Sequence, residues 1–170
     1  MSAKIIWLTG LSGSGKTTLS QIILKKLLKK KYKVKNIDGD IFRKKKKNNS
    51  FSKKNIIVNN LSIIKYIKKI EKKFDYIIVT VISPLLKTRI YAKKSFKEKY
   101  FEVLVSCNLK TLELRDTKGL YRKAKNKEIK NLIGYNSKIK YERSNYEKII
   151  VKTNIYTISH CVKKIMNKIV

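Results

Sequence analysis

The chain has 170 residues, 42% of them hydrophobic, which is enough for one domain with a proper core and too apolar for a disordered chain. Its 43 Lys and Arg against 11 Asp and Glu leave a formal net charge of +32, a field that attracts phosphorylated small molecules, nucleic acid or anionic lipid. The excess is nearly all Lys, spread along the chain among Ile and Asn, a pattern that an AT-rich coding bias also produces. Nucleic acid is therefore not an expected partner, because its recognition needs clustered basic patches beside an aromatic reading surface. No apolar run reaches the length of a membrane span and no secretory leader is legible, so a cytoplasmic chain with no membrane partner is expected. Cys107, Cys161 and the one His form no metal pattern, and both thiols sit among apolar residues, as buried free cysteines do.

In chain order, Lys4–Thr9 (KIIWLT) reads as a buried strand running into Gly-rich sequence. Leu19, Ile23 and Leu27 give helical spacing from Thr17 to about Lys30. Val34–Ile37 is a second strand, and Phe42 to Lys53 a polar loop. Ile57, Leu61, Ile64 and Ile67 stripe a second helix. Tyr76–Ile82 is the most apolar, β-branched run and is expected as the central strand. Pro84 fits the first turn of a third helix. Phe101–Val105 is a strand, followed by a short helix to Arg115. Lys148–Lys152 is the last strand. Ile158, Val162, Ile165 and Ile169 mark a closing helix. Apolar strands alternating with helices predict an α/β fold, a parallel sheet covered by helices on both faces, in a single domain over 1–170. The polar stretch of about 116–145 shows no core pattern and is expected to form a mobile lid.

Gly10 to Thr18 reads GLSGSGKTT, after the first strand and opening the first helix. It fits G-x-x-x-x-G-K-[ST], with Gly10, Gly15, Lys16 and Thr17 at the fixed positions. The backbone N–H groups of Leu11, Ser12, Gly13, Ser14 and Thr18, with the helix N-terminus, can face one phosphate chain. Lys16 reaches the β- and γ-phosphates and the Thr17 hydroxyl ligates Mg²⁺ in such a loop. An ATP- and Mg²⁺-dependent phosphotransferase is the expectation. The competing reading, a plain Gly-Ser turn, does not explain the strand before and the helix after.

Phosphoryl transfer also requires a held acceptor. Asp38-Gly39-Asp40 ends the second strand, where parallel sheets bind ligands. Two carboxylates there can face an acceptor hydroxyl and the metal's water shell, with Asp40 preferred as proton acceptor. Arg43 follows, within reach of an anionic substrate. An Asx-type turn is the alternative. No acidic residue ends Tyr76–Ile82, so this pair also has to stand in for the usual Walker-B aspartate. Ser83 is read as either a substrate contact or a helix N-cap before Pro84. Arg115 is read as stacking on the ATP base or stabilising the leaving phosphate, and Lys118 as neutralising an acceptor phosphate. The alternative for both is a solvated basic stretch.

Taken together, WLTGLSGSGKTT, DGDIFR, Phe51-Ser52 with Asn59, Ile82-Ser83-Pro84 with Arg89 and Ala92, Phe101 with Val103, and the run from Glu113 to Lys125 (ELRDTKGLYRKAK) are similar to adenylylsulfate (APS) kinases. The resemblance runs from about Ile5 to Ile133 and implies a P-loop kinase, usually dimeric. Such enzymes move the ATP γ-phosphate to the ribose 3′-hydroxyl of adenosine 5′-phosphosulfate. It implies Asp38, Asp40 and Arg43 facing the acceptor, Phe51 stacked on its base, and Asn59, the Ile82-Ser83 backbone, Lys118 and Leu120 around its ribose and anionic tail.

The departures fall on the acceptor side. Asn55 and Ile56 stand where the family has Asp and Arg, and Leu132 stands where an aromatic closes on the adenine. One charge-assisted contact is worth about 1.5–3 kcal/mol. One base stack is worth about 1–3 kcal/mol. Together these amount to roughly a hundredfold in acceptor preference. A smaller base facing Leu132 suits a pyrimidine, and the family has a branch that phosphorylates cytidine diphosphoramidate for bacterial capsules. The expectations left open are that acceptor, APS itself, a basic nucleic-acid-binding protein using its P-loop as a sensor, and a small-metabolite kinase.

Overall fold

The computed structural model describes residues 2–45, 52–146 and 148–170. Five strands form one parallel sheet in the order β2-β3-β1-β4-β5: β1 Lys4–Thr9, β2 Val34–Asp38, β3 Tyr76–Thr80, β4 Tyr100–Ser106 and β5 Ile149–Lys152. The helices are α1 Lys16–Lys29, α2 Gly39–Lys45, α3 Lys53–Ile70, α4 Leu86–Phe96, α5 Leu109–Arg115, α6 Leu120–Lys125 and α7 Ile158–Ile169.

β1 shows why the strands are apolar throughout. Ile6 and Leu8 point to one face, against Leu19, Ile23 and Leu27 of α1 and Val162 and Ile165 of α7. Ile5 and Trp7 point to the other, against Ile63 and Ile67 of α3 and Ala92 and Phe96 of α4. Period-two alternation between two covered faces favours apolar side chains at successive positions.

Three sequence expectations change. The central strand is β1, not the more β-branched β3, because interior strands are buried on both faces alike and apolar content does not rank them. Phe42 does not begin a loop: α2 runs from Gly39 to Lys45, started by the Asp38 carboxylate. Pro84 precedes α4 rather than opening it, because Leu85 is the residue that enters the helix.

The stretch from 116 to 145 also holds more core than its polarity suggests. Tyr121, Ala124 and Leu132 pack with Leu112 of α5. The Tyr121 hydroxyl donates to the Ser12 carbonyl at 2.9 Å, tying α6 to the Gly-rich loop. The far end is strapped down by charge. Arg89 of α4 is fully buried, with its Nε 3.3 Å from the buried Glu102 of β4. Its Nη atoms donate to the carbonyls of Ser83 and Glu142. Glu102 also accepts from Ser144 (3.2 Å) and from the Tyr146 hydroxyl.

A charge left alone in that interior is costly. Arg89→Met or Glu102→Leu alone is expected to lose about 3–5 kcal/mol of stability, while the double variant recovers part of the loss. Denaturant unfolding of all three variants checks this; additive losses would contradict a coupled buried pair.

Candidate active site

The carboxyl ends of β1, β2 and β3 open into one cleft of about 580 Å³, a volume suited to a nucleotide. β1 delivers the Gly-rich loop. Gly10 has φ 140°, and a Cβ there would lie 2.3 Å from the Val105 carbonyl oxygen, so the backbone has no room for a side chain. Gly15 precedes α1, no side chain caps that helix, and its first turn holds no acid. Its free N–H groups are left for an external anion.

Lys16 folds back onto the loop, donating to the carbonyls of Gly10 (3.0 Å) and Leu11 (2.7 Å). Burial, with the Lys118 charge behind it, pulls its pKa down to about 8 against the opposing pull of Asp40 and Asp38. Thr17 and Thr18 are exposed along the cleft. Ser14 is buried, with no hydrogen bond to its hydroxyl.

At the other end Arg115 is fixed to the loop after β5. Its Nη atoms donate to the Thr153 hydroxyl (3.1 Å) and carbonyl (2.6 Å), and that hydroxyl donates to the Ser14 carbonyl at 2.9 Å. Thr153 and Ile158 line the cleft, and the sequence reading named neither as a site residue. The signal was their place just beyond the carboxyl end of a parallel strand.

The two carboxylates differ in what already occupies them. A Cβ on Gly39 would lie 2.8 Å from Val81 Cγ2 and 2.9 Å from the Thr80 carbonyl, so this turn is pressed against the end of β3. Asp38 Oδ1 accepts from the N–H groups of Asp40 (2.8 Å) and Ile41 (3.2 Å), which is how α2 starts. The residue that makes this Asx-type cap also lines the cleft. Asp40 pairs with Arg43 through Oδ1 and with Lys118 through Oδ2, the latter at 2.6 Å. Burial pushes the Asp40 carboxyl up, but the hydrogen bond and charge of Lys118, with Arg43 and Lys16, outweigh it and hold the group below the ordinary carboxylate range.

Beside Asp40 and Arg43 lies a second, much smaller cleft of about 20 Å³, lined by Asn55, Ile56, Asn59, Ile82 and Ile133. It holds about one water. Phe51 lies outside the described residues. Asn59 is buried, and no hydrogen bond engages its side chain among the described residues. Ile56 packs with Leu85 and Ile133. The wall is therefore Ile133 and not Leu132, whose side chain turns the other way into the Leu112–Tyr121 cluster. Leu120 packs against that same cluster and reaches neither cleft.

Ser83 lies behind the cleft, with no exposed surface. Its N–H points to Thr9 Oγ1 (3.4 Å), its carbonyl accepts from Arg89, and its hydroxyl meets Asn60 (3.0 Å) and Thr88 (3.4 Å). It is not an N-cap, and its hydroxyl is turned to Asn60 and Thr88. The sequence reading missed Asn60, since nothing in its helical stripe marks a buried amide.

A family model described as adenylylsulphate kinase matches residues 2–152. The chain belongs to that family. A probable adenylyl-sulfate kinase of Archaeoglobus fulgidus is 38% identical over 151 residues, covering 88% of this chain and 96% of the relative. The cytidine diphosphoramidate kinase of Campylobacter jejuni is 35% identical over 168 residues, covering 97% and 95%. Among solved structures, the Mycobacterium tuberculosis APS kinase CysC in complex with AMPPNP and APS superposes with a TM-score of 0.89 at 28% identity, covering 98% of this chain and 97% of that one. The family's members are phosphotransferases acting on a hydroxyl group, and so is this chain. None of its described helices is long and apolar enough to cross a membrane.

The Lys16 geometry has a calorimetric consequence. An anion seated on the loop replaces two carbonyls as its partner and raises its pKa from about 8 toward the ordinary 10.5. Near pH 8 nucleotide binding is then expected to take up a fraction of a proton, an uptake that fades toward pH 6, where Lys16 is already charged. Titration calorimetry in two buffers of different ionisation enthalpy reads this directly, and Lys16→Met should abolish it.

Proposed function

We propose that this enzyme transfers the γ-phosphate of ATP to the ribose 3′-hydroxyl of a nucleotide with an anionic 5′ tail. The observation that carries this is the meeting of Lys16, Thr17 and Asp40 in one cleft. The acceptor hydroxyl attacks the γ-phosphorus in line and its proton passes to Asp40, while Lys16 leaves the loop carbonyls to follow the phosphate charge. Arg43 and Lys118, already on Asp40, are placed to meet the acceptor's tail. Thr17 and Asp38 would hold Mg²⁺. The residues fit: Thr17 and Asp38 bring a hydroxyl and a carboxylate to one cleft, and Mg²⁺ takes few protein oxygens beside phosphates and water. When bound, the ion neutralises charge on the bridging phosphates. A homodimer is proposed from the family resemblance alone.

For the acceptor we propose cytidine diphosphoramidate. Its support is the apolar patch of Ile56, Leu85 and Ile133, where the family pattern calls for a cation, together with the near full-length match to the Campylobacter jejuni enzyme. Adenosine 5′-phosphosulfate is the second reading. The Archaeoglobus fulgidus relative and the APS-bound Mycobacterium tuberculosis neighbour support it at least as well.

The test is turnover with ATP and Mg²⁺ on both acceptors, with the product's phosphate position read by ³¹P NMR. A higher kcat/KM on cytidine diphosphoramidate is expected; a higher value on APS would overturn that choice, and no turnover on either would overturn the kinase reading. Ile56→Arg should move the preference toward APS by roughly tenfold or more, the worth of a charge-assisted contact. Asp40→Asn should cut kcat by about 10²–10⁴, while Asp38→Asn should alter the Mg²⁺ dependence.

A further inference from the structure

Every kinase must keep water from taking its acceptor's place. Here both oxygens of Asp40 carry a cationic partner. Arg43 reaches Oδ1 from the next turn of α2. Lys118 reaches Oδ2 from 78 residues away, in the turn that enters α6. The first contact is local and would form in any conformation of the helix. The second exists only while the segment between α5 and α6 lies over the cleft, and α6, which follows it, is tied to the Gly-rich loop by Tyr121. Asp116 fixes the turn further, accepting from the N–H groups of Tyr121 (3.0 Å) and Arg122 (2.9 Å). Lys118 is thus aimed at Asp40 by a built turn.

We propose that Lys118 suppresses hydrolysis of ATP while no acceptor is bound, by holding the carboxylate oxygen that would otherwise take a proton from water. This rests on the kinase reading above, though not on which nucleotide is the acceptor. Without the contact, a water beside the γ-phosphate gives its proton to Asp40 Oδ2, its oxygen bonds to the γ-phosphorus, and the bond to the bridging oxygen breaks to release ADP and inorganic phosphate. An anionic tail draws Lys118 onto itself and frees Oδ2 only when a hydroxyl acceptor is in place. The contact suits a reversible brake: its side chains are 52% and 45% exposed, so the pair is weak and a substrate charge can displace it. Lys118 also lines the same cleft as Lys16 and Thr17.

The experiment measures phosphate release from ATP and Mg²⁺ with no acceptor, for the wild type, Lys118→Met, Asp40→Asn and the double variant. Lys118→Met is expected to raise acceptor-free hydrolysis about two- to fivefold, the scale of one exposed ion pair, and the double variant to lose that gain. Hydrolysis unchanged or lowered in Lys118→Met would overturn the brake and leave Lys118 as a contact to the acceptor or the transferred phosphate. A gain that persists in the double variant would also overturn it, since the freed base would not be Asp40. Binding of the non-hydrolysable analogue AMPPNP, followed by calorimetry, separates the two layers. A wild type that neither binds it nor releases phosphate from ATP refutes the kinase reading, whereas normal binding with no gain in Lys118→Met refutes only the brake.

Discussion

The site is organised around a charge imbalance. Lys16, Arg43 and Lys118 crowd two carboxylates, and a triphosphate with an anionic acceptor would bring the missing negative charge. The cations meanwhile pair with groups of the protein itself. Lys16 bends to two loop carbonyls and its pKa falls, while Arg43 and Lys118 close on Asp40. The same imbalance explains why Asp38 differs from its neighbour. One of its oxygens is committed to two backbone N–H groups at the start of α2, so it is held in place whether or not ligand is present. A residue that is held is suited to a metal's shell, and one that exchanges partners is suited to moving a proton.

The donor half of this arrangement was legible in the sequence because its requirements are local. A strand, a Gly-rich turn and a helix start are adjacent in the chain, and the Gly10 and Gly39 backbones pass too close to Val105 and Val81 for any other residue. The overall α/β fold was legible for a similar reason, since strands covered on two faces read as unbroken apolar runs. Strand order was less so. β1 and β3 are both buried, and what places β1 at the centre is that its partners β3 and β4 each pair with one further strand, β2 and β5, a long-range fact.

The acceptor half was legible only in part, because its walls come from separate segments. Ile56 from α3, Leu85 from the turn before α4 and Ile133 from beyond α6 meet in space. Spacing in the chain says nothing about which of Leu132 and Ile133 turns inward. Residue by residue, the match to the family pattern puts Leu132 at the aromatic's place, yet packing gives Leu132 to Leu112 and Tyr121 and gives the cleft to Ile133. The polar strap was not legible as a pair: Arg89 stood out only as part of the family pattern and Glu102 not at all, and only burial together joins them.

That strap has a bearing on specificity. Arg89 grips the Ser83 carbonyl, Thr9 receives the Ser83 N–H, and Asn60 and Thr88 hold its hydroxyl, so the peptide after Ile82 is fixed from four directions. Thr9 in turn bonds the Tyr141 hydroxyl at 2.9 Å, joining β1 to the segment between α6 and β5. The floor beside the small cleft is therefore built from the same buried network that anchors the segment around Tyr141 and Glu142. What can vary without disturbing the fold is the rim: Asn55, Ile56 and Ile133 touch the cleft without entering that network. A family that keeps the floor and the donor loop while changing the rim can change its acceptor without rebuilding its chemistry. The charge missing at Ile56 fits that division, because an arginine there would face the cleft and leave the Arg89–Glu102 pair intact.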